Sequence, residues 1–171
     1  MNKKILITGA SRGIGKATAI FFAKKGYDLV LVSRTESDLK AVALECNSLG
    51  VKVDYVLADL SEVDKVKELV IHLQNRFPTI DTLVLNAGIS TSVTFEDNSM
   101  ENIKRELDIN YLTPATIIKE YIPVLKKANG GNIICISSFS AIVPFPGNSS
   151  YAATKAALYS LCTSLKIELD P

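Results

Sequence analysis

Apolar positions along the chain alternate between runs of strand length and stripes at helical spacing. Lys4–Thr8 is a short β-branched run, and Ile14, Ala17 and Phe21 then recur at helical spacing to Lys25. Gly26 stands where a helix-ending glycine belongs. Asp28–Val32 is a continuous apolar run; Leu39, Val42, Ala43, Cys46 and Leu49 form a helical stripe that Gly50 ends. Val51–Ala58 reads as a third strand. Ser61 is expected to cap a helix striped by Val63, Val66, Val70, Leu73 and Phe77. Thr82–Leu85 is a fourth strand. Ser99–Lys127 is a long helical stretch in which Pro114 and Pro123 predict kinks, and Gly130-Gly131 breaks it. Asn132–Ser137 is a fifth strand and Tyr151–Leu169 a last helix. Strands apolar on both faces, alternating with helices, predict an α/β fold: a three-layer αβα arrangement of Rossmann type, its doubly wound parallel sheet covered on both sides. The one lengthy irregular stretch, Ser138–Ser150, holds Pro144, Pro146 and Gly147, and such a loop is usually functional or mobile.

Composition narrows the class without naming a function. The 171 residues are 47% hydrophobic and 22% charged, an ordinary globular balance that supports one domain over residues 1–171. A net charge of +1 gives no electrostatic ground for nucleic-acid or membrane partners. Cys46, Cys135 and Cys162 are far apart in sequence and suggest neither a metal site nor a disulfide framework; they read as small buried apolar residues in a reducing cytoplasm. No apolar stretch reaches the ~18 residues of a membrane span, and no targeting segment is read. His72 falls between stripe residues and reads as a surface histidine, and no cluster suggests a metal.

The first strand leads into Thr8-Gly9-Ala10-Ser11-Arg12-Gly13-Ile14-Gly15, and a helix follows. Glycines there permit a tight turn and close approach of backbone to a pyrophosphate, while the helix N-terminus directs unpaired N–H groups at it. The second strand ends Val32-Ser33-Arg34. A carboxylate at this point would suit the ribose hydroxyl of NAD, and an arginine suits the 2′-phosphate of NADP. Arg34 with Arg12 favours NADP; Glu36, close by, is the residue that argues for NAD.

Tyr151-Ala152-Ala153-Thr154-Lys155 opens the last helix, with Tyr151 and Lys155 four apart on one face. A phenol titrating near 10 is a poor proton shuttle at neutral pH, and a neighbouring ammonium lowers that value. A Tyr-x-x-x-Lys pair is common by chance. It gains weight from the strand, the serine pair Ser137-Ser138 and the Pro/Gly loop before it.

With these motifs in place, the chain resembles the short-chain dehydrogenase/reductase family. Thr8-Gly9-…-Gly13-Ile14-Gly15 resembles its cofactor turn, and Ser33-Arg34 the strand end of its NADP-preferring members. Asp59-Leu60 resembles the pair that contacts adenine, and Asn86-Ala87-Gly88 the segment lining the cofactor site. Asn110 matches the active-site asparagine. Ser138, thirteen residues before Tyr151, has the family's serine spacing, which Ser137 lacks. The resemblance implies that Tyr151 exchanges a proton with a carbonyl or alcohol as hydride moves to or from the nicotinamide. Ser138 would polarise the same oxygen, Lys155 would tune the tyrosine and hold the nicotinamide ribose, and Asn110 would hold a water leading to bulk.

Two departures accompany the match. Ala141 stands where the family often has glycine, three residues after the serine. The segment Leu165–Pro171 resembles the end of the Tyr-Lys helix, beyond which family members continue with further strands, a nicotinamide clamp and a substrate lid. Without these, Asn132–Ser137 is expected to form an exposed edge, and the alternative to a reductase is an inactive nucleotide-binding module or scaffold. The family also implies a homodimer or homotetramer through the 99–127 and 151–169 helices. The substrate walls within reach, Ser90–Phe95 and Ala141–Asn148, mix apolar and polar residues and suit many carbonyl compounds.

Overall fold

Five apolar runs pair side by side in a computed structural model of the protein, which describes residues 2–128 and 130–169. They are β1 (Lys4–Thr8), β2 (Asp28–Ser33), β3 (Val53–Leu57), β4 (Thr82–Leu85) and β5 (Asn132–Cys135), in the order β3-β2-β1-β4-β5. Every pairing is parallel; Leu6 lies beside Val30 on one side and Leu83 on the other. The order reverses direction between β1 and β4, which opens a crevice beyond their C-terminal ends.

Successive strand residues face opposite ways, so β1 feeds two cores. Ile5 and Ile7, with Leu29, Leu31 and Val84, pack on Ala19 and Ala23 of α1 (Gly13–Lys24) and Leu39, Val42 and Cys46 of α2 (Glu36–Asn47). Leu6, with Val30, Val32, Leu83 and Leu85, packs on Val66, Val70 and Leu73 of α3 (Val63–Arg76). The same core takes in Ile117, Ile118 and Tyr121 of α5 (Thr113–Lys127). Two further helices, α4 (Met100–Leu107) and α6 (Ser149–Leu169), complete the set. Gly26 and Gly50 follow the ends of α1 and α2 at φ +81° and +88°, a conformation that favours glycine.

Several details differ from the expectation. Ser61 does not cap α3: the cap position is Glu62, which makes no side-chain bond, and the Ser61 hydroxyl donates to Asp59 Oδ1 at 2.7 Å. The 99–127 stretch is interrupted by a π-helical turn over Asp108–Leu112, which holds Asn110, the residue four before Pro114, and α-helix continues through Pro123. Pro114 sits at the start of α5, where a missing N–H costs little, and Pro123 lies inside α5. Helix α6 starts at Ser149, two residues before Tyr151. Cys46 is buried as expected, but Cys135 and Cys162 are only half-buried and meet. The neighbouring Cys162 thiol, with burial, pushes the Cys135 thiol far up, and Cys162 is drawn down. Asp170 and Pro171, read as part of the last helical segment, lie outside the described residues.

Among the described residues β5 pairs with β4 alone, and Ile134 is 39% exposed. A groove of about 670 Å³ runs past this edge, lined by Phe22, Tyr27, Ile133, Cys162 and Leu165 among others.

Tyr121 is fully buried and its hydroxyl has no partner among the described residues. Burial pushes the phenol well above its ordinary value of 10.0. An unfolded tyrosine ionises at about pH 10 while this one resists, so its burial contributes stability below that pH that is lost as pH rises. Tyr121→Phe should leave stability unchanged or raise it by about 1 kcal/mol near neutrality. It should also flatten the decline above about pH 10 in urea titrations. A loss of more than about 1 kcal/mol would reveal a hydroxyl partner.

Candidate active site

The turn after β1 folds against itself and against the end of β4. Gly9 has φ +64°, and a side chain there would bring its Cβ to 2.9 Å from Ala87 Cα. A Cβ on Gly15 would stand 2.2 Å from the Gly9 carbonyl oxygen. Asn86 Nδ2 donates to the carbonyls of Thr8 and Gly9 at 3.0 and 3.1 Å. Thr8 Oγ1 accepts from the amides of Asn86 and Ala87 at 3.1 and 3.2 Å. Helix α1 then begins with no side chain capping it and no acidic residue in its first turn. Its N-terminal N–H groups remain available to an anion, and the helix dipole favours one.

This end of the sheet holds a cavity of about 370 Å³. It is lined by Gly9, Ser11, Arg12, Gly13 and Ile14 from the turn, Ser33 and Arg34 from β2, Asp59 and Leu60 after β3, and Asn86, Ala87 and Gly88 after β4. The expected cofactor residues therefore converge, with Gly15 buried in the first turn of α1. Ser33 Oγ donates to Ser11 Oγ at 2.9 Å, joining strand end to turn. The Ser61 amide and hydroxyl both donate to Asp59 Oδ1, and these bonds, aided by Arg34, hold that carboxyl below its usual range. Arg12 and Arg34 are exposed and form no ion pair among the described residues.

Sequence reasoning missed Thr35, Asp38, Ala58, Ile89 and Ile109 as lining residues. Glu36, the acidic residue weighed for NAD, pairs with Lys40 at 2.7 Å and does not line the cavity; Asp38, two residues on, does. An acid in the first turn of a helix reads as ordinary complement to the helix dipole, so nothing in the sequence marked it.

A second group of residues lies next to this cavity. Lys155 is 3% exposed, and its Nζ donates to the Ile136 carbonyl at 2.8 Å. Burial pushes its pKa below the ordinary lysine range. Its Nζ is also 5.8 Å from the centre of the Tyr151 ring, consistent with the shared helix face. A Cβ added to Gly88 would be 3.3 Å from Lys155 Nζ and 3.2 Å from Asn110 Oδ1, so these three residues meet where the cavity ends. Asn110 is fully buried in the π-helical turn. Its Oδ1 accepts from Ile89 N, and its Nδ2 donates to Ile89 O and Thr154 Oγ1. Ser137 Oγ donates to the Lys155 carbonyl at 3.1 Å. Ser138 caps a 3₁₀ turn, Phe139–Ala141, by accepting from Ser140 N, and its hydroxyl donates to Ser140 Oγ. Among the described residues no hydrogen bond joins Ser138 to Tyr151.

The expected substrate walls also touch: Ser90 Oγ donates to Asn148 Oδ1 at 2.8 Å. Among the described residues no group of three His, Cys, Asp or Glu side chains could hold a metal, and no helix is long and apolar enough to cross a membrane. His72 is exposed.

Comparison with known proteins matches residues 3–171 to the short chain dehydrogenase family. A relative from Arabidopsis thaliana, 11-beta-hydroxysteroid dehydrogenase-like 2, is 38% identical over 99% of this chain and 55% of its own length. Dehydrogenase/reductase SDR family member 7B from Xenopus laevis is 32% identical over 98% of this chain and 54% of its own. The chain thus spans about half the length of the curated relatives it matches. An alcohol dehydrogenase from Thermococcus sibiricus, solved with 5-hydroxy-NADP, superposes with a TM-score of 0.91 at 32% identity, over 98% of this chain and 72% of that one. A short-chain dehydrogenase from Sphingobium yanoikuyae, solved with NADPH, gives 0.92 at 35% identity, over 99% and 66%.

Crowding at the turn separates two glycines. Gly15→Ala forces its Cβ into the Gly9 carbonyl, and should cost upward of about 3 kcal/mol. Gly13 has φ +55° with nothing within 4 Å of a Cβ, so Gly13→Ala should cost only about 1 kcal/mol of backbone strain. Urea unfolding of the two variants checks this; equal losses would contradict the contact.

Proposed function

The chain belongs to the short chain dehydrogenase family, and from that premise we propose that it binds NADP in preference to NAD. We propose further that it interconverts a carbonyl and a secondary alcohol with Tyr151 as the acid/base. The observation that carries the reading is the convergence of Asn110, Gly88, Lys155 and Tyr151 at the end of a cavity lined by the glycine turn.

The residues fit the cofactor. The uncapped α1 N-terminus suits a pyrophosphate, and two lining arginines that form no ion pair among the described residues suit a 2′-phosphate. Asp38 on the same rim would serve NAD, so preference rests on Arg12 and Arg34 outweighing it. When bound, the nicotinamide supplies or accepts the hydride.

The protein's own part is proton chemistry. Tyr151 Oη gives a proton to the carbonyl oxygen, or takes one from the alcohol, and the Ser138 hydroxyl donates a hydrogen bond to that oxygen. For this the Ser138 hydroxyl turns from its bond to Ser140. Ser137 is the weaker candidate because its hydroxyl is held on the Lys155 carbonyl. Lys155 contributes its positive charge beside Tyr151 and, by this reading, a bond to the nicotinamide ribose. The Asn110 side chain is fully engaged. By this reading its place beside Lys155 and Gly88 is where a relay water would be held. Exposed Met100, Leu107, Tyr159 and Ile167 support association through the 99–127 and 151–169 helices as part of the same reading.

Tyr151→Phe should abolish nearly all NADPH-dependent carbonyl reduction, by a factor of about 10³ or more, while NADPH fluorescence titration stays within about twofold of the parent. Retained turnover would refute the proton role. Binding without turnover in the parent itself would favour the nucleotide-binding module. Replacing Arg12 and Arg34 together with alanine should weaken NADPH by about tenfold or more and leave NADH nearly unchanged. Equal weakening of both would remove the basis for the NADP preference.

A further inference from the structure

Glu106 of α4 is a carboxylate with 0% exposure, one helical turn before Asn110 and outside the groups assigned above. Its Oε1 accepts from the Thr91 amide at 2.6 Å and from Thr91 Oγ1 at 2.9 Å, while Oε2 is buried with no partner among the described residues. Burying a carboxylate is costly unless strong bonds repay it, and here only one oxygen is repaid. An apolar side chain would occupy this helix position more cheaply.

The connection continues to the acid/base helix. Asn98, 9% exposed, donates through Nδ2 to Thr91 Oγ1 at 3.3 Å and to Ser150 Oγ at 2.9 Å. Ser150 is itself buried and immediately precedes Tyr151. The loop gripped this way is strained: Ser92, next to Thr91, has φ +54°, the one non-glycine positive φ among the described residues. Such a conformation persists only where its surroundings over-determine it. The second tie between the same segments, Ser90 to Asn148, lies on the exposed side.

We propose that Glu106 is a positioning residue. Through Thr91, Asn98 and Ser150 it holds the loop after β4 at a set distance from Tyr151, and so fixes the width of the substrate cleft. The proposal rests on the reductase reading for its effect on turnover. The brace itself stands on the hydrogen bonds and the strained loop.

The test compares Glu106→Leu, which ends one atom short of the carboxylate oxygens and loses both acceptors, with Glu106→Gln, which keeps one. Hydrogen exchange, thermal melting, NADPH affinity and reduction of 4-nitrobenzaldehyde are measured on each full chain. In Glu106→Leu, amides of residues 90–92 should exchange about tenfold faster. KM for the aldehyde should rise about tenfold, with kcat, NADPH affinity and exchange in β1 and β4 within about twofold. Glu106→Gln should restore parental exchange and KM. If Glu106→Leu does not fold, Thr91→Val, which removes the hydroxyl shared by Glu106 and Asn98, should show the same direction with a smaller size. Unchanged loop exchange, equal loss in the Gln and Leu variants, or a uniform loss across the sheet and NADPH binding would overturn the proposal. A parent without turnover counts against the reductase reading, and the exchange comparison then decides the brace.

Discussion

The crossing of Asn86 over the end of β1 is the constraint on which the rest of the site depends. Parallel strands splay beyond their last ladder bond, and here the splay would separate the glycine turn from Asn86-Ala87-Gly88. The Asn86 amide group closes that gap by donating to two successive carbonyls, Thr8 and Gly9, while Thr8 Oγ1 takes the amides of Asn86 and Ala87. Four bonds join two segments nearly eighty residues apart in sequence. Their closeness in turn dictates glycine: a Cβ at Gly15 would be 2.6 Å from Asn86 Nδ2 as well as inside the Gly9 carbonyl. The turn can thus present backbone to a ligand because a side-chain amide three strands further along the chain has drawn it tight.

The same segment carries the order across to the far side of the site. Gly88 packs on Asn110 and Lys155 at distances that leave no room for a side chain without displacement. Ile89 exchanges bonds with Asn110 through both its N–H and its C=O. Asn110 can reach back in this way because the helical stretch is a π turn at Asp108–Leu112, which rotates the side chains that follow relative to a continuous α-helix. A helix kept regular through this point would carry Asn110 at a different angle to Thr154 and Ile89. The π turn is therefore part of how the site is built, and Pro114 just after it is compatible with a position where the α-helical ladder has already been interrupted.

Much of this was legible from apolar spacing. Strands β1, β2 and β4 and the stripes of α1, α2 and α3 follow from runs and periods, because one buried face dictates each of them. The errors occur where a hydrogen bond, rather than burial, decides. Ser61 has the residue type and position of a helix cap, yet a carboxylate two residues back offered its hydroxyl and amide a better acceptor. The two prolines suggested kinks; the interruption is a π turn whose own sequence, Asp108-Ile109-Asn110-Tyr111-Leu112, has no breaker, and which holds Asn110, the residue whose α-helical partner would be the N–H that Pro114 lacks. Glu106 looks like any solvated charge on a helix rich in Lys, Arg and Glu. Its burial depends on a loop fifteen residues earlier folding over it. The Cys135–Cys162 contact was invisible for the same reason, since it joins a strand to a helix across an intervening loop.

The buried polar groups are distributed unevenly, and the imbalance separates two ways of making a site. Up to β4 they are Thr8, Ser33 and Thr82, three hydroxyls at strand positions. From Asn98 onward they are Asn98, Glu106, Asp108, Asn110, Thr113, Ser140, Ser150, Thr154 and Lys155. The glycine-turn side works with backbone: glycines, an open helix N-terminus and carbonyls pulled into line, over an apolar core that costs little. The other side works with side chains taken out of water, including an ammonium and a carboxylate, each desolvated and each answered by main-chain groups: Ile136 O for Lys155, Thr91 N for Glu106. Backbone-built recognition tolerates change in most side chains but not in its glycines. A network of buried polar side chains is sensitive at every member, because removing one leaves its neighbour unpaired in a medium that penalises it. The half that would read the substrate is thus the half in which a single substitution can shift geometry without disturbing the cofactor crevice. On the proposed reading, that separation would let one sheet hold the nucleotide while the cleft beside it is set by side-chain bonds.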